Sequence, residues 1–273
     1  MSSGRWLFLR GGVVCRKFRE EGGMNIAAIY FSATGNTEKN VKALAEGAAS
    51  ALVFEGVEVL DVTCQPSPAA REFGPEDFAI FGMPVYAGRL PLAVKDRLTA
   101  FRGQGTPCIV AVSYGNRHYE DALLELADMA AAQGFVVKGG AALIGRHTYG
   151  EIQVERPDAD DLAACRVFGA EAALREGEAP VIPGNRPYRE GFLRGRFHPL
   201  TSEACVDCGL CVRGCPMQAI GEDCRTVGED CISCFRCIRN CPTGAKNMDV
   251  PAYTEFAAMF TEKLKERREN EFF

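Results

Sequence analysis

The chain offers neither a G-x-x-x-x-G-K-S/T loop nor a G-x-G-x-x-G turn. That removes the usual glycine-rich recognition of nucleoside triphosphates and dinucleotides, and it disfavours hydride input from a nicotinamide. No apolar run approaches the ~20 residues of a membrane-spanning helix. The early Trp6-Leu7-Phe8-Leu9 stretch is cut off by Arg10 and two glycines, and Arg16, Lys17 and Arg19 follow where a signal peptide needs a cleavage site. Neither sign of charge dominates, since 31 basic against 36 acidic residues leave a net charge of −5, so nucleic acid is not an expected partner. No grouping of general acid, base and nucleophile stands out, so no catalytic residue is assigned. His118 and His147 sit in loop sequences and read as surface or hydrogen-bonded groups. Glu20-Glu21-Gly22-Gly23, just ahead of Met24, reads like a ribosome-binding sequence translated by mistake. The expectation is a natural start at Met24, with residues 1–23 a disordered or mis-assigned extension outside the fold.

Cysteine, by contrast, is abundant, and eight of the 13 fall in two runs of one form. The first is Cys205-Val-Asp-Cys208-Gly-Leu-Cys211-Val-Arg-Gly-Cys215-Pro216, the second Cys231-Ile-Ser-Cys234-Phe-Arg-Cys237-Ile-Arg-Asn-Cys241-Pro242. Each is C-x2-C-x2-C-x3-C-P, the spacing that holds cubane iron–sulfur clusters. Two-residue gaps let a tight loop turn three thiolates onto one face of a cube, and the proline ends regular hydrogen bonding after the fourth. Zinc sites built from paired C-x-x-C units explain neither the third cysteine nor the proline. A disulfide framework needs an oxidising compartment, and the other five cysteines (Cys15, Cys64, Cys108, Cys165, Cys224) are scattered and odd in number. A reducing, cytoplasmic location is therefore expected, and two oxygen-sensitive clusters fit an anaerobe.

These runs resemble a bacterial two-[4Fe-4S] ferredoxin at every ligand position. The resemblance implies crossed ligation, with Cys205, Cys208, Cys211 and Cys241 on one cluster and Cys231, Cys234, Cys237 and Cys215 on the other. Metal would then hold together a domain too small for a large apolar core, and Cys224 is the best candidate for packing near a cluster.

The first half reads as five βα units. Ile26 to Phe31 is a short apolar run of the kind buried in a parallel sheet, and it enters Ser32-Ala33-Thr34-Gly35-Asn36-Thr37 just before a helical pattern of Val41, Leu44, Ala45, Ala48 and Leu52. A hydroxyl-rich turn between a strand end and a helix start makes an anion site, because unpaired amides and the helix dipole point at its occupant. Further strands are expected at Val57–Val62, Asp77–Gly82 and Pro107–Val112, with a fifth in Phe135–Ile144 broken by Gly139-Gly140. Helices are expected from about Leu92 to Arg102, around Leu123–Met129, and from Asp158 to Glu176.

The turn at 32–37 matches the S/T-x-T-G-N-T phosphate loop of flavodoxins, which binds the FMN phosphate without a cation. This resemblance implies an α/β, doubly wound, five-stranded parallel sheet of order 2-1-3-4-5, with FMN outside the carboxyl ends of the strands. Ser32, Thr34, Gly35, Asn36 and Thr37 are the expected phosphate contacts. The loops at 83–91 and 113–119 are the expected flavin-ring contacts, through Pro84, Val85, Tyr86 and Gly88, and through Ser113, Tyr114, Gly115, Asn116 and Tyr119. Arg89 and Arg117 sit at the rim and read equally well as solvated.

The expected organisation is a flavodoxin-like FMN domain over 24–178, a Pro/Gly/Arg-rich linker over 179–199, a small α+β ferredoxin domain over 200–249 and a C-terminal helix over 250–273. Phe256, Met259, Phe260 and Leu264 fall on one stripe of that helix. Both halves together resemble the flavodoxin–ferredoxin fusion proteins of anaerobic bacteria and archaea. The resemblance implies an electron-transfer protein that passes low-potential electrons between an external redox protein, two [4Fe-4S] clusters and FMN. Two rivals stand beside it: a flavin-dependent reductase of a quinone, nitro compound or oxygen fed by its own ferredoxin domain, and a redox-sensing binding module. The sequence leaves the partner, the direction of flow and the oligomeric state open.

Overall fold

The computed structural model describes residues 24–54 and 56–273; the expectations for residues 1–23 lie outside them. Strand β1 (Ile26–Tyr30) is buried throughout, as its unbroken apolar run requires. Helix α1 (Asn36–Ala51) follows the turn, with Val41, Leu44, Ala45 and Ala48 fully buried. Next come β2 (Glu58–Asp61), β3 (Arg71–Phe73) and β4 (Phe78–Pro84). The expected helix over 92–102 is only a 3-10 turn at Lys95–Ala100, followed by β5 (Phe101–Gly103), which pairs in parallel with β3. This stretch makes contacts rather than a helical face: the buried Arg97 guanidinium donates to the carbonyls of Val62, Thr63 and Pro216.

Strand β6 (Thr106–Tyr114), helix α2 (Ala122–Ala132), strand β7 (Phe135–Ile144) and helix α3 (Ala159–Ala173) complete the large domain. β7 is not broken at Gly139-Gly140. It runs through, and the mismatch is taken up by a register shift opposite Cys108/Ile109. The glycines answer close packing instead: a Cβ at 139 would lie 2.8 Å from the Phe168 ring, and one at 140 would lie 2.5 Å from Ile182. Asp158 caps α3 in a reciprocal box with Asp161.

The main sheet has the order β10-β7-β6-β4-β1-β2. Its five strands from the large domain are all parallel and stand second, first, third, fourth, fifth in chain order. Alternate strand residues face opposite ways. Ile26, Ala28, Ile80 and Ile109 pack under α1 and α3, while Ile29, Phe81, Val110 and Val112 pack under α2 and the 3-10 turn.

The small domain holds β8 (Leu200–Thr201), α4 (Leu210–Arg213), α5 (Arg236–Arg239) and β9 (Lys246–Asn247), with β8 and β9 antiparallel. Helix α6 (Pro251–Lys263) ends ten residues before the chain does, so 250–273 is not one helix. The tail turns back along the sheet, and β10 (Glu271–Phe272) pairs antiparallel with β7 at Ala142 and Ala141. Met259 is exposed and takes no part in the expected stripe. Segment 179–199 is a strap on the large domain. Arg186 and Tyr188 hold Asp128, and the Asn185 and Arg189 amides donate to Asp121 at 2.9 and 2.8 Å.

Candidate functional site

A cavity of about 630 Å³ opens at the carboxyl ends of β1, β4 and β6. Ser32, Thr34, Asn36 and Thr37 line it from the first loop, Pro84, Val85 and Tyr86 from the second, and Ser113, Tyr114 and Gly115 from the third. Gly35, at φ 90°, forms the left-handed cap that starts α1. Ser32 is fixed by its amide to Thr63 Oγ1 (2.8 Å), and its hydroxyl accepts the Glu38 amide (3.1 Å). In the second loop, Tyr86 and Arg89 exchange backbone hydrogen bonds across Ala87 and Gly88, both at positive φ, so Gly88 shapes a tight turn and does not line the cavity. Arg89 is not solvated: it pairs with the buried Glu125 at 2.8 Å.

Two expected ring contacts point elsewhere. Asn116 donates to the carbonyls of Leu264 (2.8 Å) and Glu266 (2.6 Å), and the Tyr119 hydroxyl bonds Glu271 at 2.9 Å. Both are occupied in holding the returning tail, which the sequence pattern did not reveal.

Other elements close the cavity. His147 lies against Gly115 and stacks edge-on to Phe260 of α6 at 5.0 Å. Burial, with Arg117 adding to it, lowers its pKa to about 4, so the ring is neutral, with Nδ1 accepting the Tyr149 amide at 2.8 Å. Arg194, Arg196, Phe192 and Leu193 of the strap join the lining, as does Phe256. So do Ile232 and Ser233, which stand between Cys231 and Cys234 of the second cysteine run. Ile232 and Cys234 belong to the same apolar core as the sheet face. Tyr86, pushed well up by burial, also feels the Cys234 and Cys231 thiols. The second run thus forms one wall of the cavity. Arg236 ties that wall to the first loop, donating to the carbonyls of Ala33 (2.9 Å) and Gly214 (3.1 Å). Tyr149, Phe197, Phe235, Tyr253 and Phe256 pack as an aromatic cluster around the junction.

The residues suit a flat anionic ligand. The lining is mostly apolar, with hydroxyls and a helix N-terminus at one end. Two residues that line the cavity carry a buried polar atom with no hydrogen-bond partner among the described residues, Tyr114 Oη and Arg146 Nε. Burial pushes the Tyr114 phenol up to about 12, so it stays a neutral donor.

In the small domain, among the described residues, no group of three or more His, Cys, Asp or Glu closes around a single metal ion. The thiols differ in exposure. Cys208 is exposed and Cys205 half-buried, while Cys234 is buried. Burial pushes Cys234 and Cys237 up to about 12, and Cys215 and Cys231 act on both. Such sulfurs ionise only against a positive partner. Backbone amides point at sulfur from Ala219 to Cys215 (3.3 Å), Ser233 to Cys231 (3.4 Å) and Lys246 to Cys241 (3.4 Å). Cys224 is buried beside Cys211 and raises its pKa, after burial itself.

No family model matches the chain, and no curated relative does. Among solved structures, the chain is similar to a flavodoxin from the domain Archaea, at 20% identity over 55% of this chain and 96% of that one, with a TM-score of 0.40. It is likewise similar to flavodoxin 1 from Bacillus cereus, at 19% identity over 56% and 99%, with a TM-score of 0.40. A third is the rubredoxin oxygen:oxidoreductase from the anaerobe Desulfovibrio gigas, at 18% identity and a TM-score of 0.39, where 55% of this chain spans only 36% of that protein. By its own sheet order, the large domain is a flavodoxin-like α/β fold with a mostly parallel sheet. No helix among the described residues is long and apolar enough to cross a membrane.

Proposed function

We propose that the protein is an electron carrier with FMN in the 630 Å³ cavity and two [4Fe-4S] clusters on the eight motif cysteines, exchanging electrons with an external redox protein. One observation carries this reading: a single cavity is lined both by the loops at the sheet's carboxyl edge and by Ile232 and Ser233 of the second cysteine run. When bound, FMN takes one or two electrons and each cluster takes one, which couples one-electron and two-electron partners.

Ser32, Thr34, Asn36 and Thr37 hold the phosphate at the start of α1, and Arg146, whose backbone carbonyl accepts from Asn36 Nδ2, lines the same cavity. Tyr86, Tyr114 and Gly115 flank the ring. Phe256, Phe260 and Ile232 line the same cavity with apolar surface. Cys231, Cys234, Cys237 and Cys215 form the cluster site nearest the cavity. Cys205, Cys208, Cys211 and Cys241 form the outer one, where exposed Cys208, Val206 and Leu210 offer a partner its contact.

The test is the iron, sulfide and FMN content of anaerobically purified protein, with its visible spectrum during stepwise reduction. About eight irons and one FMN per chain are expected. Iron without flavin, even after FMN is added, makes the large domain a docking scaffold and sinks the carrier reading.

A further inference from the structure

The two cysteine runs repeat at an offset of 26 residues, and the backbone repeats with them. Asp207 and Ser233 sit at φ 50° and 51°, Gly209 and Phe235 at 71° and 58°, and Gln218 and Gly244 at 53° and 67°. Each pair is one repeat apart. The same offset matches Cys215-Pro-Met-Gln-Ala-Ile220 with Cys241-Pro-Thr-Gly-Ala-Lys246, so lysine stands where the first run has a buried isoleucine.

Lys246 is as buried as that isoleucine, 2% exposed against 6%. Its Nζ has no hydrogen-bond partner among the described residues. An ammonium taken out of water without a counter-charge is costly, and a site selected only for apolar packing would keep isoleucine. The groups on which its charge acts are thiols of both runs: Cys211 of the first, Cys231 and Cys237 of the second. Its own backbone amide points at Cys241. Anionic sulfur at these two runs would supply the counter-charge that Lys246 lacks.

Resting on the cluster reading above, we infer that Lys246 is a shared counter-ion between the two cluster sites, a positioning residue whose fixed charge makes both clusters easier to reduce. With clusters bound, the redox partner would supply the one electron that each takes up. A positive charge beside that added negative charge favours the reduced form, and it screens the two reduced clusters from each other. Ile220 supplies no such charge, so the duplication has been broken at one position.

The test compares wild type with Lys246→Ile, which copies the first run, and Lys246→Arg, which keeps the charge. Iron and sulfide are counted first, and both cluster potentials are then read by EPR during an anaerobic redox titration. The Ile variant should hold full iron and show at least one cluster with roughly tenfold weaker electron affinity, about 59 mV for one electron, while the Arg variant keeps wild-type potentials. An iron-loaded Ile variant at wild-type potentials overturns the inference and leaves the cluster reading standing. Equal shifts in both variants overturn it too, since shape rather than charge would then matter. Loss of iron in the Ile variant alone supports it, as a charge needed for assembly; loss in both variants overturns it. Wild-type protein without iron removes the inference and the reading beneath it together.

Discussion

Burial holds the His147 imidazole neutral, with its pKa lowered to about 4, while the unfolded chain presents a histidine near 6.5. Between those values the unfolded state binds the extra proton, so stability is complete above about pH 6.5 and falls as pH drops toward 4. Denaturant midpoints measured across that window should fall for the wild type. They should fall less steeply for His147→Gln, and equal slopes would show that the ring titrates freely. Its neighbour Gly115 is equally constrained, since a Cβ there would lie 2.2 Å from His147 Cδ2. Gly115→Ala should therefore keep the fold and weaken FMN binding roughly tenfold, a loss of about 1.4 kcal/mol, read as recovery of free-flavin fluorescence on dilution. Gly115 was singled out in the sequence as a residue of the third loop, and it does line the cavity. That His147 also presses on it was not legible, because residues 115 and 147 meet only when β6 and β7 are paired.

Helices α1 and α3 touch through backbone. A Cβ on Gly47 would lie 2.0 Å from the Arg166 carbonyl oxygen, and one on Gly169 would lie 2.1 Å from that of Leu44. Alanine at either position must push the helices apart, at a cost of about 1–3 kcal/mol. The melting temperature should drop by roughly 2–4 °C per kcal/mol, with iron content unchanged; an unchanged melting curve would mean that the helices slide freely. The strands that the helices cover were legible because parallel strands buried on both faces spell continuous apolar runs, as Ile26 to Phe31 does. Elements whose identity depends on a distant partner were not. β10 is two residues long and exists only against β7. Gly139 and Gly140 looked like a strand break because Phe168 and Ile182, which need the space, are far along the chain. The strap over 179–199 has the composition of a linker and is held by partners distant in the chain, Asp121 and Asp128 at α2 and Cys231 and Ser233 of the second cysteine run. The candidate site divides the same way. Its three loops follow from strand ends, whereas Ile232, Phe256 and the strap arrive by tertiary packing.

Across the molecule, the interface between the halves combines buried polar contacts with apolar packing. Arg97 reaches from the large domain to the Pro216 carbonyl, and Arg236 reaches back from α5 to Ala33. Ile232 and Cys234 sit in the large domain's own core. This polarises the chain: the second cysteine run is built into the cavity wall, whereas Cys208 of the first faces solvent. If the cavity is a property of both halves, weakening their clasp must weaken the ligand that fills it, although the altered residue never touches that ligand. Arg236 holds the carbonyl side of the turn that would receive the phosphate in the proposed reading, and hydrogen bonds from a charged donor contribute about 1.5–3 kcal/mol each. Arg236→Ala should keep its iron and lose roughly tenfold in FMN affinity. Arg225→Ala, which removes an exposed pair with Asp207 on the same domain, should leave FMN affinity unchanged, as expected of a surface ion pair. Flavin titrations of the three proteins decide the matter. Equal affinities would mean that the large domain binds alone and that the second cysteine run is a bystander to the cavity. A loss confined to Arg236→Ala would mean that the flavin site is assembled only when the two halves are held together.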